Sequence, residues 1–154
     1  MLLRHFLQEA AASLEGLYPA AEARSIVLRL CEHELTCAVY TGAAGVRALP
    51  VIEIISETGW FDYDAKYNGL SREVCPAEIP EELTARVQDI SCRIYRQLGC
   101  KGLVRMDYIA AKDGIYFLEV NVIPGMTNAS LVPKMVRAAG IGFTEFLTDI
   151  IEHA

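Results

Sequence analysis

Apolar residues recur at two different spacings along this chain, and the switches between them divide it into segments. Over positions 4–17, Phe6, Leu7, Ala10, Ala11, Leu14 and Leu17 keep the three-to-four-residue spacing of one helix face, and Pro19 lies just beyond. Positions 25–30, 33–40 and 46–55 are β-rich runs, the last two separated by a turn signal at Gly42 and Gly45, which predicts a three-strand antiparallel meander. Positions 60–76 mix Asp, Tyr, Lys, Asn and Gly without a sustained period and read as one long connection. Helical spacing returns after Pro80, where Leu83, Val87, Ile90, Ile94 and Leu98 form a stripe that ends before Gly99. Two strand-like runs follow, 101–110 and 115–122, with Asp113 and Gly114 between them as a hairpin signal. Two short helices close the chain: 130–139 with Gly140 behind it, and a second after Gly142 carrying Phe143, Phe146, Leu147, Ile150 and Ile151 on one face.

The hairpin changes the picture from architecture to chemistry. Folding it about Asp113 sets Asp107 opposite Glu119 and Arg105 opposite Asn121. Strand alternation then sends these four side chains to one face, and Val104, Met106, Tyr108, Leu118 and Val120 to the other, which packs inward. Facing carboxylates repel, so Asp107 and Glu119 need a cation. Either Arg105 supplies it in a salt-bridge ladder, or Mg²⁺ does, held by the two carboxylates and the Asn121 amide with phosphate oxygens completing its shell. The turn-rich segment 121–131 leads straight into a helix near Ser130. Backbone N–H groups there suit an anion, while Ser130 equally fits an ordinary helix cap.

With 154 residues, 53% of them hydrophobic and 22% charged, the chain has one domain's worth of core. Its formal charge of −6 disfavours nucleic acid and anionic membrane surfaces as partners. Five cysteines, Cys31, Cys37, Cys75, Cys92 and Cys100, show no zinc-type spacing, and their odd number suits a reducing, cytoplasmic setting. They read as small buried apolar side chains. No run of 18 apolar residues is present.

Three blocks, FDYDAKY, GLVRMDYI and FLEVNVIPGMTNASLVPKM, occur in order, and in them the chain resembles the C-terminal part of D-alanine:D-alanine ligases of the ATP-grasp superfamily. The resemblance runs from about residue 25 to 154 and implies an α+β fold, a mainly antiparallel sheet flanked by helices, with 1–24 as a preceding helix and linker. It implies an ATP-dependent joining of two D-alanines through an acylphosphate, for peptidoglycan synthesis. Asp107, Glu119 and Asn121 would hold two Mg²⁺ ions, with Mn²⁺ as an alternative. Arg105 and the backbone at Gly125 would steady the oxyanion, and Ser130 with Leu131 would bind the carboxylate of the second D-alanine. Lys66 would reach ATP phosphate, Tyr67 would sit in the closing loop, and Glu34 would hydrogen-bond the ribose. Asp62 and Asp64 remain loop or capping residues. Backbone groups around Leu30 would meet adenine, although the hinge run 27–30 has Val27 where the family begins with glutamate. Glu32 and His33 replace a glycine-containing approach to Glu34.

The family's N-terminal and central domains are implied partners, and the chain is expected to be inactive without them. Association with a second copy is also expected, because a lone half exposes apolar surface. A different carboxylate–amine ligase of the superfamily and a non-catalytic nucleotide-binding or assembly module are the alternative readings.

Overall fold

A computed structural model describes residues 33–56 and 71–153. The expected helix at 4–17, the strand at 25–30, Leu30, Lys66 and Tyr67 lie outside the described residues. Six strands form one antiparallel sheet: β1 (His33–Gly42), β2 (Gly45–Ala48), β3 (Ile52–Ser56), β4 (Ser71–Val74), β5 (Leu103–Ala111) and β6 (Gly114–Asn121). The helices are α1 (Glu81–Gln97), α2 (Leu131–Ala138) and α3 (Phe143–His153). The strand order is β4, β3, β1, β5, β6, with β2 also paired to β1. The long β1, central and almost wholly buried, is thus the strand on which both halves of the sheet are built.

Alternation along β1 feeds two cores. Leu35, Cys37 and Val39 join Val104, Met106 and Tyr108 of β5 beneath α1, while Ala38 and Tyr40 face α2 and α3 with Ile52, Val132, Met135 and Phe146. A strand covered on both faces has no solvent side to mark with polar residues, which explains the apolar run from Cys37 to Tyr40 in the middle of β1.

Several expectations change in detail. The run 46–55 is two strands, because Pro50 has no N–H to give a ladder and the register against β1 moves by one residue across it. The expected connection 60–76 contains β4, which pairs with β3 at the sheet edge. Glu73 of β4 forms an ion pair with Lys134 of α2, fastening that edge to the helix layer. In α1 the buried line is Val87, Ser91 and Tyr95, flanked by Leu83, Ile90 and Ile94, whereas Leu98 is exposed. The apolar stripe missed this line because two of its three members carry hydroxyls, which are satisfied inside: Ser91 Oγ donates to the Val87 carbonyl and lies 2.7 Å from Tyr108 Oη. Tyr95 Oη donates to the Gly102 carbonyl. Gly99 and Gly140 follow α1 and α2 with φ of 63° and 70°, the left-handed turn expected of a glycine past a helix end. In α3 only Phe146 is fully buried; Phe143 and Ile151 are exposed.

The hairpin turns on Lys112 and Asp113 rather than about Asp113 alone. Ala111 pairs with Gly114 and Tyr108 with Phe117, and a bulge at Leu118 then restores the pairing of Asp107 with Glu119. Ile115 lies against the α1-side core, and Phe117 meets Tyr108 edge-on, with ring centroids 5.8 Å apart. Odd-numbered residues of β6 therefore face α1 before the bulge, and the opposite side after it.

Candidate functional site

Beyond the bulge, the pairing collects the polar residues of the hairpin. Asp107 pairs with Glu119 and Arg105 with Asn121 across β5 and β6. On the other flank of β5, Thr36 pairs with Asp107 and Ala38 with Arg105. Two rows thus cross three strands on the face shared with α2 and α3. One holds Thr36, Asp107 and Glu119, the other Ala38, Arg105 and Asn121. Ala38 carries only a methyl group, so the guanidinium of Arg105 has room to lie along the sheet toward Asp107.

Arg105 grips Asp107 with two hydrogen bonds, Nε to Oδ1 at 3.0 Å and Nη2 to Oδ2 at 2.8 Å. Thr36, itself buried, donates its hydroxyl to Oδ1 at 2.6 Å. The Arg105 and Asp107 side chains are 18% and 19% exposed, so little water screens them. Burial pushes the Asp107 carboxyl up, but Arg105, through its hydrogen bonds and charge, outweighs burial with help from Thr36 and Glu119. The group is held below the usual carboxylate range. Burial likewise opposes the Arg105 charge, and the carboxylates of Asp107, Glu119 and Glu34 overcome it and raise its pKa. Glu34, two residues before Thr36 on the same face of β1, therefore belongs electrostatically to the cluster. Three carboxylates around one guanidinium leave an excess of negative charge that a divalent cation would neutralise.

The donors fit a hard cation. Asp107 and Glu119 offer carboxylate oxygens and Asn121 an amide oxygen, the ligand types Mg²⁺ takes. Asp107 Oδ1 already accepts from Thr36 and Arg105, whereas Oδ2 accepts from Arg105, and Glu119 lies within hydrogen-bond reach of the same carboxylate. Asn121 Oδ1 accepts the Ile123 N–H at 3.0 Å and has a second lone pair. The ladder of Arg105 with Asp107 and a cation beside them are therefore compatible. Among the described residues no group of three or more His, Cys, Asp and Glu side chains is gathered as a metal site.

The segment after β6 folds back to start α2. Ser130 occupies the N-cap position with φ −73° and ψ 156° but makes no side-chain capping bond, contrary to the ordinary cap reading. Its hydroxyl turns toward the preceding loop, accepting the Thr127 N–H at 3.2 Å and lying 2.8 Å from Thr127 Oγ1. A Cβ on Gly125 would lie 2.8 Å from Ser130 Oγ, so the bare backbone at 125 is what lets that hydroxyl sit there. Pro133 has no N–H, and the first helical bond, Lys134 N–H to the Ser130 carbonyl, is long at 3.4 Å. The N–H groups at Leu131 and Val132 thus mark a helix start suited to an anion. Arg137 Nη2 donates to the Asn128 carbonyl at 3.1 Å and holds the loop to α2.

Thr36 is the residue that sequence reasoning missed. Its signal is the two-residue step from Glu34, but only the pairing of β1 with β5, seventy residues away, shows what it meets.

Comparison with known proteins gives a consistent result. The family model described as D-ala D-ala ligase C-terminus matches residues 23–152. A D-alanine–D-alanine ligase from Bacteroides fragilis is 48% identical over 121 residues, covering 78% of this chain and 37% of that protein. Among solved structures, VanG D-Ala:D-Ser ligase from Enterococcus faecalis superposes with a TM-score of 0.65 at 38% identity, covering 78% of this chain and 35% of the other. The D-alanine–D-alanine ligase from Bacillus anthracis complexed with ATP gives 0.63 at 35% identity, over 79% and 37%. The chain therefore spans well under half the length of these relatives.

Proposed function

The chain belongs to the D-alanine–D-alanine ligase family through that family's C-terminal domain, and on this premise we propose that it forms the metal- and phosphate-handling part of an ATP-dependent ligase. In the proposed reaction ATP phosphorylates the carboxylate of one D-alanine and leaves as ADP, and the amine of a second attacks the acylphosphate, losing a proton and expelling inorganic phosphate. The product is D-alanyl-D-alanine, a precursor of peptidoglycan. The observation that carries the reading is the cross-strand register that gathers two carboxylates and an amide around one guanidinium.

Asp107, Glu119 and Asn121 would hold Mg²⁺, or Mn²⁺ in its place, which would supply positive charge against phosphate oxygens. Arg105 spends two of its five N–H donors on Asp107, leaving three to meet negative charge that develops on the reacting oxygen, together with the backbone N–H at Gly125. Ser130 and Leu131 receive the carboxylate of the second D-alanine at the start of α2. Glu34 meets the ribose, Lys66 the phosphates and Leu30 the adenine through its backbone, while Tyr67 belongs to the closing loop. The N-terminal and central domains of the family complete the enzyme, and dipeptide formation is expected only in their presence. Because one structural neighbour is a D-Ala:D-Ser ligase, D-serine is the second acceptor to compare with D-alanine.

Calorimetric titration with Mg·ATP tests the site on the chain itself. Binding by wild type that is lost in Asp107→Ala and in Glu119→Ala supports the assignment. Equal binding by wild type and both variants would remove these residues from the nucleotide-metal site.

A further inference from the structure

We infer that Thr36 is a positioning residue for the metal site: its hydroxyl fixes the rotation of the Asp107 carboxylate so that Oδ2 is the oxygen presented to the cation. The inference rests on the assignment of Asp107 as a metal ligand made above. Thr36 sits directly opposite Asp107 on the central strand, is 1% exposed, and donates to Oδ1 at 2.6 Å. The same hydroxyl lies 3.3 Å from the Met106 carbonyl, a longer contact on the β5 backbone, so the carboxylate is its main acceptor.

A carboxylate gripped by one guanidinium can still rock about its Cβ–Cγ bond, because Arg105 moves with it on a long flexible stem. Thr36 removes that freedom, since its hydroxyl holds Oδ1 from a backbone locked between β3 and β5. With Oδ1 saturated by Thr36 and Arg105 Nε, the oxygen left for a cation is Oδ2. Hydrogen-bonding partners behind metal ligands typically account for about 10–100-fold in metal affinity.

Thr36→Ser and Thr36→Ala both delete the methyl group and differ only in the hydroxyl, so comparing them isolates the hydrogen bond from packing. Mn²⁺ affinity is read by electron paramagnetic resonance on the full chain in the presence of ATP, with thermal unfolding measured in parallel and Asp107→Ala as the site control. Thr36→Ser is expected within about twofold of wild type, and Thr36→Ala about tenfold weaker or more. Thr36→Val, which keeps the shape without the hydroxyl, is expected to match Thr36→Ala. Equal Mn²⁺ affinity in Thr36→Ala and Thr36→Ser, whatever their melting temperatures, would overturn the role of Thr36 and leave the metal assignment standing. Wild-type binding absent, or unaffected by Asp107→Ala, would overturn the metal assignment and this inference with it.

Discussion

Replacing Arg105 with methionine probes the charge balance of the site before any ligand is bound. Methionine keeps much of the side-chain volume, so the change removes chiefly the guanidinium. Breaking a fully buried ion pair by deleting one partner costs about 3–5 kcal/mol, and the lost bonds here are two charge-assisted contacts at 3.0 and 2.8 Å. About a fifth of each side chain is in water, at 18% and 19% exposure, which lowers the expected cost to about 2–3 kcal/mol. For a chain of this size that corresponds to a fall in Tm of about 5–10 °C. The dependence on pH separates this origin from simple loss of packing. Asp107 is held below its unfolded value in the wild type, so the stability it contributes is fully present above about pH 4 and is lost as pH falls through the folded value. In the variant, burial acts on Asp107 without the guanidinium that outweighs it, its folded value rises, and the cost is greatest at neutral pH. Circular-dichroism melts near pH 7 and about pH 3.5 should therefore show a wide gap that narrows on acidification. A gap of constant size, or no loss at neutral pH, would refute the charge-balance argument.

Other predictions concern parts of the molecule around the site. Gly125→Ala forces the Ser130 hydroxyl to move and should cost about 1 kcal/mol in chemical denaturation, and in the complete ligase it should raise KM for the second D-alanine more than for ATP; unchanged KM values would detach Gly125 from that subsite. Ser91→Ala strips the Tyr108 hydroxyl of its oxygen partner and leaves the Met106 sulfur at 3.3 Å, so a loss of about 1–3 kcal/mol with an unchanged m-value is expected in urea, and a neutral result would show that water replaces Ser91. Burial pushes the Cys37 thiol up to about 12, so mass spectrometry after alkylation at about pH 8.5 should find it unmodified until the protein is denatured; rapid native labelling would contradict its burial. Exposed Phe117, Val122 and Ile123 along the β6 edge support self-association, and a monomeric mass by light scattering at working concentration would refute it.

The sequence was most legible where one local pattern decides the outcome. Helix ends at Gly99 and Gly140 needed only the conformational freedom of glycine, and α1 needed only its spacing. The pairing of Asp107 with Glu119 was also legible, though the route to it was not: a two-residue turn and a compensating bulge reach the same register as a symmetric fold about Asp113. Pairing across the sheet was less legible. Nothing near Thr36 tells that β1 lies beside β5, and nothing near Ser71 tells that an edge strand forms there, because such neighbours are fixed by packing between distant segments. Ser91 and Tyr95 were missed in α1 because a hydrophobic stripe counts only apolar residues, while this interior also accepts hydroxyls that find hydrogen-bond partners inside it. The helix start at Ser130 shows the reverse case: residue type pointed to a cap, and the close approach of Gly125 turned the hydroxyl elsewhere.

The bulge at Leu118 also insulates the hairpin's tip from its base. Residue pairs added or removed between Ala111 and Gly114 would lengthen or shorten the tip as a ribbon, while Asp107 and Glu119 keep their pairing because β1 fastens β5 from the other side. The tip is thus a tolerant place for a graft, a label or an inserted peptide. A single residue deleted at Leu118 would remove the extra residue and merge tip and base into one regular ladder, in which Glu119 still lies opposite Asp107.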